Sequence, residues 1–200
     1  MQIVKSGYGG TNIIPIDSEL GQKRVIFVEG EITQEKADTF MKQIMHLVLV
    51  DCEKPIHVII NSCGGEIDAG LKMCDVVSKC PCKVDAYCFN KAFSMAAILF
   101  ESVNGTRNMM TNSKIMLHQP SITGFQSGTA GEVAEISKQL GEKNDLLLSI
   151  VAGKCRWNLK RLKEETINDR YFDVKEALEA GLADKKVEFP DLIRVCAMNK

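Results

Sequence analysis

Apolar positions along this chain switch repeatedly between two spacings. Residues 24–28 form a short apolar run of buried-strand type closed by Gly30, and behind them Thr33 stands where it can cap a helix. The apolar positions of that helix, Ala37, Phe40, Met41, Ile44 and Val48, fall on one stripe of 3.6-residue period. The same rhythm returns at once. Residues 56–60 are a second strand running into Asn61, Ser62, Cys63, Gly64 and Gly65, and the paired glycines release a second amphipathic helix with Ile67, Leu71, Cys74 and Val77 on its buried face. A third strand, residues 84–89, is followed by the helix-forming run 94–99. Strand and helix alternating with short connections imply right-handed crossovers and a largely parallel sheet, with ligand sites beyond the strands' C-terminal ends.

Three sets of residues gather at such ends. Ser94 stands at a strand-to-helix junction among small neighbours, where a serine is either an ordinary N-cap or the nucleophile of a sharp elbow beside the unpaired N–H groups of the new helix, that of Met95 included. Gly64 and Gly65 end the preceding strand. Without a third glycine or a lysine they suit backbone donors for an oxyanion better than a phosphate cradle. Past the turn at Asn104-Gly105, residues 114–118 are a further short strand stopped by Pro120, so that His118 also emerges at a strand end.

Beyond Pro120 a glycine-rich stretch, residues 124–131, leads into a long helical pattern through Val133, Ile136, Leu140, Leu147 and Val151, long enough to project from a compact body. A charged helix around Leu159 and Leu162 comes next. Asp173 with Glu176 then makes a capping-box start to a short helix that Gly181 ends, and residues 182–187 read as a closing strand. At the other end, residues 1–22 carry Gly7, Gly9 and Gly10 before a short apolar patch and read as a mobile arm.

Composition narrows the function classes. Two hundred residues with a formal charge of −1 and scattered basic positions suit a single domain, 1–200, with no electrostatic call for nucleic acid or an anionic membrane. No apolar run approaches membrane-spanning length and residues 1–7 lack the apolar centre of a secretory signal, so a cytoplasmic protein is expected. The eight cysteines are then expected to be reduced thiols. They include no C-x-x-C pair, and a zinc site from Cys74, Cys80 and Cys82 is the weaker alternative; no metal and no cofactor is expected.

A serine nucleophile needs a base, and the chain has three histidines. His46 lies off its helix stripe and reads as solvated, His57 sits inside a strand and reads as structural, and His118 is the candidate. The orienting carboxylate is open among Glu164, Glu165, Asp169, Asp173 and Asp184. Asp173 and Asp184 already have explanations as a cap and a turn residue, whereas Asp169 has none.

Several of these motifs, in this order, resemble the ClpP family, the proteolytic subunits of Clp proteases. The resemblance runs from about Arg24 to Val187 and rests on residues 60–65, 93–96, 116–120, 124–128, 169–171 and 176–184. It implies an α/β fold of the ClpP/crotonase type, a spiral of ββα units with a protruding handle at about 120–153. It also implies Ser94 as nucleophile, His118 as base, Asp169 as orienting acid, and the N–H groups of Gly65 and Met95 as oxyanion hole. The activity implied is serine endopeptidase action on peptides and proteins inside paired heptameric rings, with an AAA+ ATPase unfoldase as partner. Alternatives are a phage protease that processes capsid proteins, a structural paralogue without activity, and a crotonase-type acyl-CoA enzyme. Four departures from the family pattern stand out: Cys63 in place of proline, Asn90 near a usual glycine, Phe93 in place of alanine, and Asn168 in place of an arginine used between rings.

Overall fold

The structure is a computed structural model that describes residues 2–7, 10–122 and 127–198. It opens with an antiparallel hairpin, β1 (Gln2–Gly7) and β2 (Gly10–Pro15), and a short helix α1 (Ile16–Gln22). The segment read as an arm thus has regular structure, because β-branched residues face one another across its ladder, Ile3 opposite Ile14 and Val4 opposite Ile13. The glycine-rich composition signals an arm, whereas the ladder is a pairing between two halves of the segment that no local pattern announces.

The body is a seven-stranded sheet. β3 (Val25–Ile32), β4 (Ile56–Gly65) and β5 (Val84–Phe93) lie side by side and parallel, joined by the crossover helices α2 (Gln34–Val50) and α3 (Ile67–Ser78). Thr33 caps α2 by accepting from the Lys36 N–H, as its position predicts. Helix α4 (Met95–Ser102) follows β5 without a loop and is buried on every side. β6 (Arg107–Met110) and β7 (Lys114–Leu117) both pair with β5 in parallel, at different points along it.

The chain then rises through α5 (Ala130–Ala152) and α6 (Leu159–Glu165), adds the short strand β8 (Arg170–Phe172) antiparallel to β7, and runs through α7 (Val174–Ala180). Asp173 and Glu176 form the expected capping box, and Gly181 ends α7 in the left-handed conformation. β9 (Lys185–Val187) pairs with β6, and α8 (Phe189–Met198) closes the chain.

Alternation along the central strands divides the core in two. Ile26, Val28, Val58, Ile60, Ala86 and Cys88 face the main core under α2 to α5, whereas Val25, Ile59 and Tyr87 face a smaller cluster completed by Leu192 of α8. Both faces being covered, β4 is buried at five successive positions, Ile56 to Ile60, of which all but His57 are apolar. Cys74 and Cys88 pack into the main core, and burial pushes both thiols up to about 12, which suits inert filling. Among the described residues no group of three His, Cys, Asp or Glu side chains is arranged to hold a metal, and no helix is long and apolar enough to cross a membrane.

Helix α5 divides likewise. Leu147, Leu148 and Val151 are buried, but Val133 is exposed and Ile136 and Leu140 are half covered, so its N-terminal half stands away from the core. The backbone pairing expected of residues 124–128 falls on positions of which 124–126 lie outside the described residues.

A buried charge cluster ties α4 to the sheet. Arg107 donates to Glu101 at 2.5 Å and grips Asp184 through Nε, Nη2 and its backbone N–H. Burial pushes the fully enclosed Glu101 carboxyl up, and the guanidinium beside it pulls it back. Replacing Arg107 by methionine strands that carboxyl, and the expected loss is about 3 to 5 kcal/mol. Denaturant unfolding measures it, and adding Glu101→Gln is expected to return part of the loss, because a neutral amide needs no counter-charge.

Candidate active site

The site grows out of the end of β5. Its last residue, Phe93, pairs with Met116 of β7, and the next N–H, that of Ser94, donates to the Met116 carbonyl at 2.8 Å. Ser94 then turns the chain into α4 with φ 54° and ψ −126°, a backbone conformation that a side chain rarely adopts. Its hydroxyl makes no capping bond to α4. Of the two readings of this serine, the geometry is therefore that of the elbow.

Gly64 is what lets the elbow sit where it does. Its φ is +94°, and a Cβ there would lie 2.7 Å from the Phe93 carbonyl oxygen, 2.8 Å from Ser94 Cβ and 2.9 Å from the Met95 nitrogen. Only a residue without a side chain fits. Buried Ser62 fixes this turn from behind: its hydroxyl donates to the Gly30 carbonyl at the irregularity in β3 and accepts from the Gly64 N–H at 3.0 Å. Gly65 is held against the backbone of Ile32 and lines the same cleft as Ser94 and Met95. The first N–H groups of α4 have no acceptor within the helix.

β7 delivers His118. Two residues beyond Met116, His118 leaves the strand with Nε2 2.7 Å from Ser94 Oγ. A neutral imidazole carrying its proton on Nδ1 accepts the hydroxyl proton across that distance. The antiparallel ladder to β8 pairs Leu117 with Arg170, which sets the next residues, His118 and Asp169, opposite each other. Asp169 Oδ1 stands 3.7 Å from His118 Nδ1, beyond hydrogen-bond length, and the carboxylate is half exposed. The cleft beside these groups has a volume of about 90 Å³, and Ile67, Ile98, Leu147 and Leu148 supply its apolar wall.

The remaining candidates lie elsewhere. His46 is exposed on α2. His57 is fully buried with Nδ1 3.4 Å from the Tyr87 hydroxyl, and burial lowers its pKa. Asp184 grips Arg107, Asp173 caps α7 and Glu165 lies beside Arg161 and Arg170. All eight cysteines are free thiols, Cys63 being exposed. Asn90 takes φ +77°, the left-handed region that asparagine tolerates, which accounts for its standing near a usual glycine. Phe93 stays out of the cleft and packs edge-on against Tyr171 of β8, with ring centroids 5.5 Å apart. Sequence reasoning missed that contact, and missed Asn144 in the cleft wall, because both depend on elements distant in the chain.

Residues 9–189 match the family model for Clp protease, and the chain belongs to the Clp protease family. It is a ClpP-like peptidase with the mixed α/β, largely parallel fold expected of it.

Gly64→Ala is expected to lower peptide turnover about a hundredfold, since the added methyl must displace the elbow by a sizeable fraction of an ångström. Steady-state hydrolysis of a short fluorogenic peptide, with circular dichroism to follow the fold, measures it.

Proposed function

We propose that this Clp-family peptidase is a serine endopeptidase with Ser94 as nucleophile, His118 as general base and Asp169 as its orienting acid. The observation that carries this reading is the 2.7 Å approach of His118 Nε2 to the hydroxyl of a serine held in elbow geometry. Ser94 Oγ attacks the scissile carbonyl carbon while His118 takes the hydroxyl proton. The N–H groups of Gly65 and Met95 receive the developing oxyanion. His118 then gives its proton to the leaving amine, and water hydrolyses the acyl-enzyme by the same path. Asp169 favours the tautomer with hydrogen on Nδ1 and the imidazolium that forms, which requires its carboxylate to close the present gap to His118. A crotonase-type acyl-CoA reaction would use the two N–H groups but leave the Ser94–His118 contact without a role. A structural paralogue without activity would leave the strained backbone at Ser94 unexplained.

Assembly follows from the same family membership and from α5. Its outer half leaves Val133, Ile136 and Leu140 uncovered or half covered in one chain, a surface that association with further copies would bury. We place the peptidase in a ring-based chamber, with heptameric rings paired through the helical handle and an ATPase feeding it unfolded protein. The domain assignment is a single protease unit with an N-terminal arm at 1–22 and a handle at about 120–153.

Two outcomes test this. A fluorophosphonate probe should label Ser94, Ser94→Ala should abolish cleavage, and Asp169→Asn should retain the fold while turnover falls by up to about 10⁴. Labelling of another residue, or wild-type cleavage by both variants, removes the assignment. Separately, light scattering should find a large oligomer that survives rising salt, because Asn168 replaces a charged partner and apolar contact is little screened. A stable monomer, or double rings that part into single rings as salt rises, overturns the assembly.

A further inference from the structure

Asp169 is the least secured member of the site. It lies just outside β8, which has three residues and is paired by the ladder with β7 alone. Among the described residues no polar group other than His118 contacts its carboxylate. Its neighbour Arg170 is directed elsewhere: the guanidinium meets Glu165 and Glu176, donates to the Tyr171 carbonyl and lies 4.7 Å over the Phe172 ring. Those contacts hold β8 to α6 and α7, the elements around it in sequence. They do nothing to hold it to Ser94.

Phe172 anchors the far end of β8 in the main core, and one aromatic contact reaches from β8 to the residue next to Ser94. Phe93, Met116 and Tyr171 occupy one row across β5, β7 and β8, Phe93 pairing with Met116 and Met116 with Tyr171. The Phe93 and Tyr171 rings meet edge to face at 84°, a favoured geometry for aromatic pairs. Met116 is buried in this row. Phe93 immediately precedes the nucleophile. Tyr171 stands two residues from Asp169, on the same strand face by alternation.

We propose that the Phe93–Tyr171 pair is a positioning latch for the triad: it clamps β8 onto the elbow and so sets the distance from Asp169 to His118. Neither ring touches the reacting atoms. Both act through the carboxylate, and the inference rests on the roles proposed above for Ser94, His118 and Asp169. The pair depends on Phe93, so a chain with alanine at that position has no ring there to meet Tyr171. With the ring contact gone, β8 keeps its ladder with β7 and the core anchor of Phe172, but the end that carries Asp169 loses its contact with the elbow.

The test is a double-mutant cycle read by peptide hydrolysis. Tyr171→Ala should lower kcat about ten- to a hundredfold with KM nearly unchanged, the cost of misplacing a catalytic group by about an ångström. Tyr171→Phe keeps the ring and should turn over as the wild type does. Phe93→Leu should resemble Tyr171→Ala. In an Asp169→Asn background, Tyr171→Ala should have almost no further effect, because the group it positions is already removed. If the two substitutions instead multiply, or if Tyr171→Phe is as slow as Tyr171→Ala, the latch is wrong. Tyr171 is exposed, which favours folding of its variants; should Phe93→Leu fail to fold, the Tyr171 pair of variants decides alone. Failure of the underlying triad would be seen separately, as Asp169→Asn with wild-type turnover.

Discussion

The backbone of Ser94 is the constraint on which the rest of the site depends. A residue with a side chain held at φ 54° and ψ −126° costs of order 1–3 kcal/mol, and it persists only where its surroundings leave no alternative. Here three supports converge: the hydrogen bond from Ser94 N–H to Met116, the glycine turn pressed against the elbow from β4, and the wholly buried helix that follows. Each support belongs to a different strand or helix of the parallel core. The strain at one residue is therefore paid by packing distributed across the main core, and the hydroxyl is aimed before any substrate arrives.

The same logic explains what could be read from the chain. Elements whose identity depends on their own composition were legible: β3 to β5, the stripes of α2 and α3, and the caps of α2 and α7. Elements whose identity depends on a distant partner were not. β6 and β8, of four and three residues, are too short to show a period, and they exist because β5 and β7 offer them edges. The hairpin at the N-terminus and α8 at the C-terminus are of this second kind too. Leu192 of α8 finds its place only against Val25, Ile59 and Tyr87. The candidate site divides along the same line. Ser94 and His118 stood out because each ends a strand, a local signal. Asp169 stood out only by lacking another explanation, since its relation to His118 is a register across a ladder that the sequence does not announce.

Among the departures from the family pattern, structure turns two into consequences of geometry. Asn90 occupies left-handed backbone, where glycine is easiest and asparagine is the next resort. Phe93 stands next to Ser94 in sequence, where a large ring could fill the cleft. Its ring instead packs edge-on against Tyr171 of β8 and takes no part in lining the cleft beside Ser94. Proximity in sequence to Ser94 is thus a poor guide to what this ring touches; the cross-strand row from β5 through β7 to β8 is a better one.

Precision is unevenly distributed over this site, and the unevenness has a physical origin. Ser94 and His118 are set by backbone bonds in the middle of the sheet, with His118 one residue past the end of a strand that itself anchors the elbow. Asp169 is set from the margin, by a strand with a single neighbour in the sheet and with Tyr171 open to water. Of the three residues of β8 only Phe172 reaches the main core, where it is fully buried, while Tyr171 on the face toward Asp169 stays exposed. A separation of 3.7 Å is too long for a hydrogen bond and leaves the imidazole ring unfixed from that side. The Ser94 hydroxyl and His118 are therefore set by the core, whereas the approach of Asp169 to His118 depends on what presses β8 against the elbow, and this is the part of the candidate site that contacts outside the main core can tune.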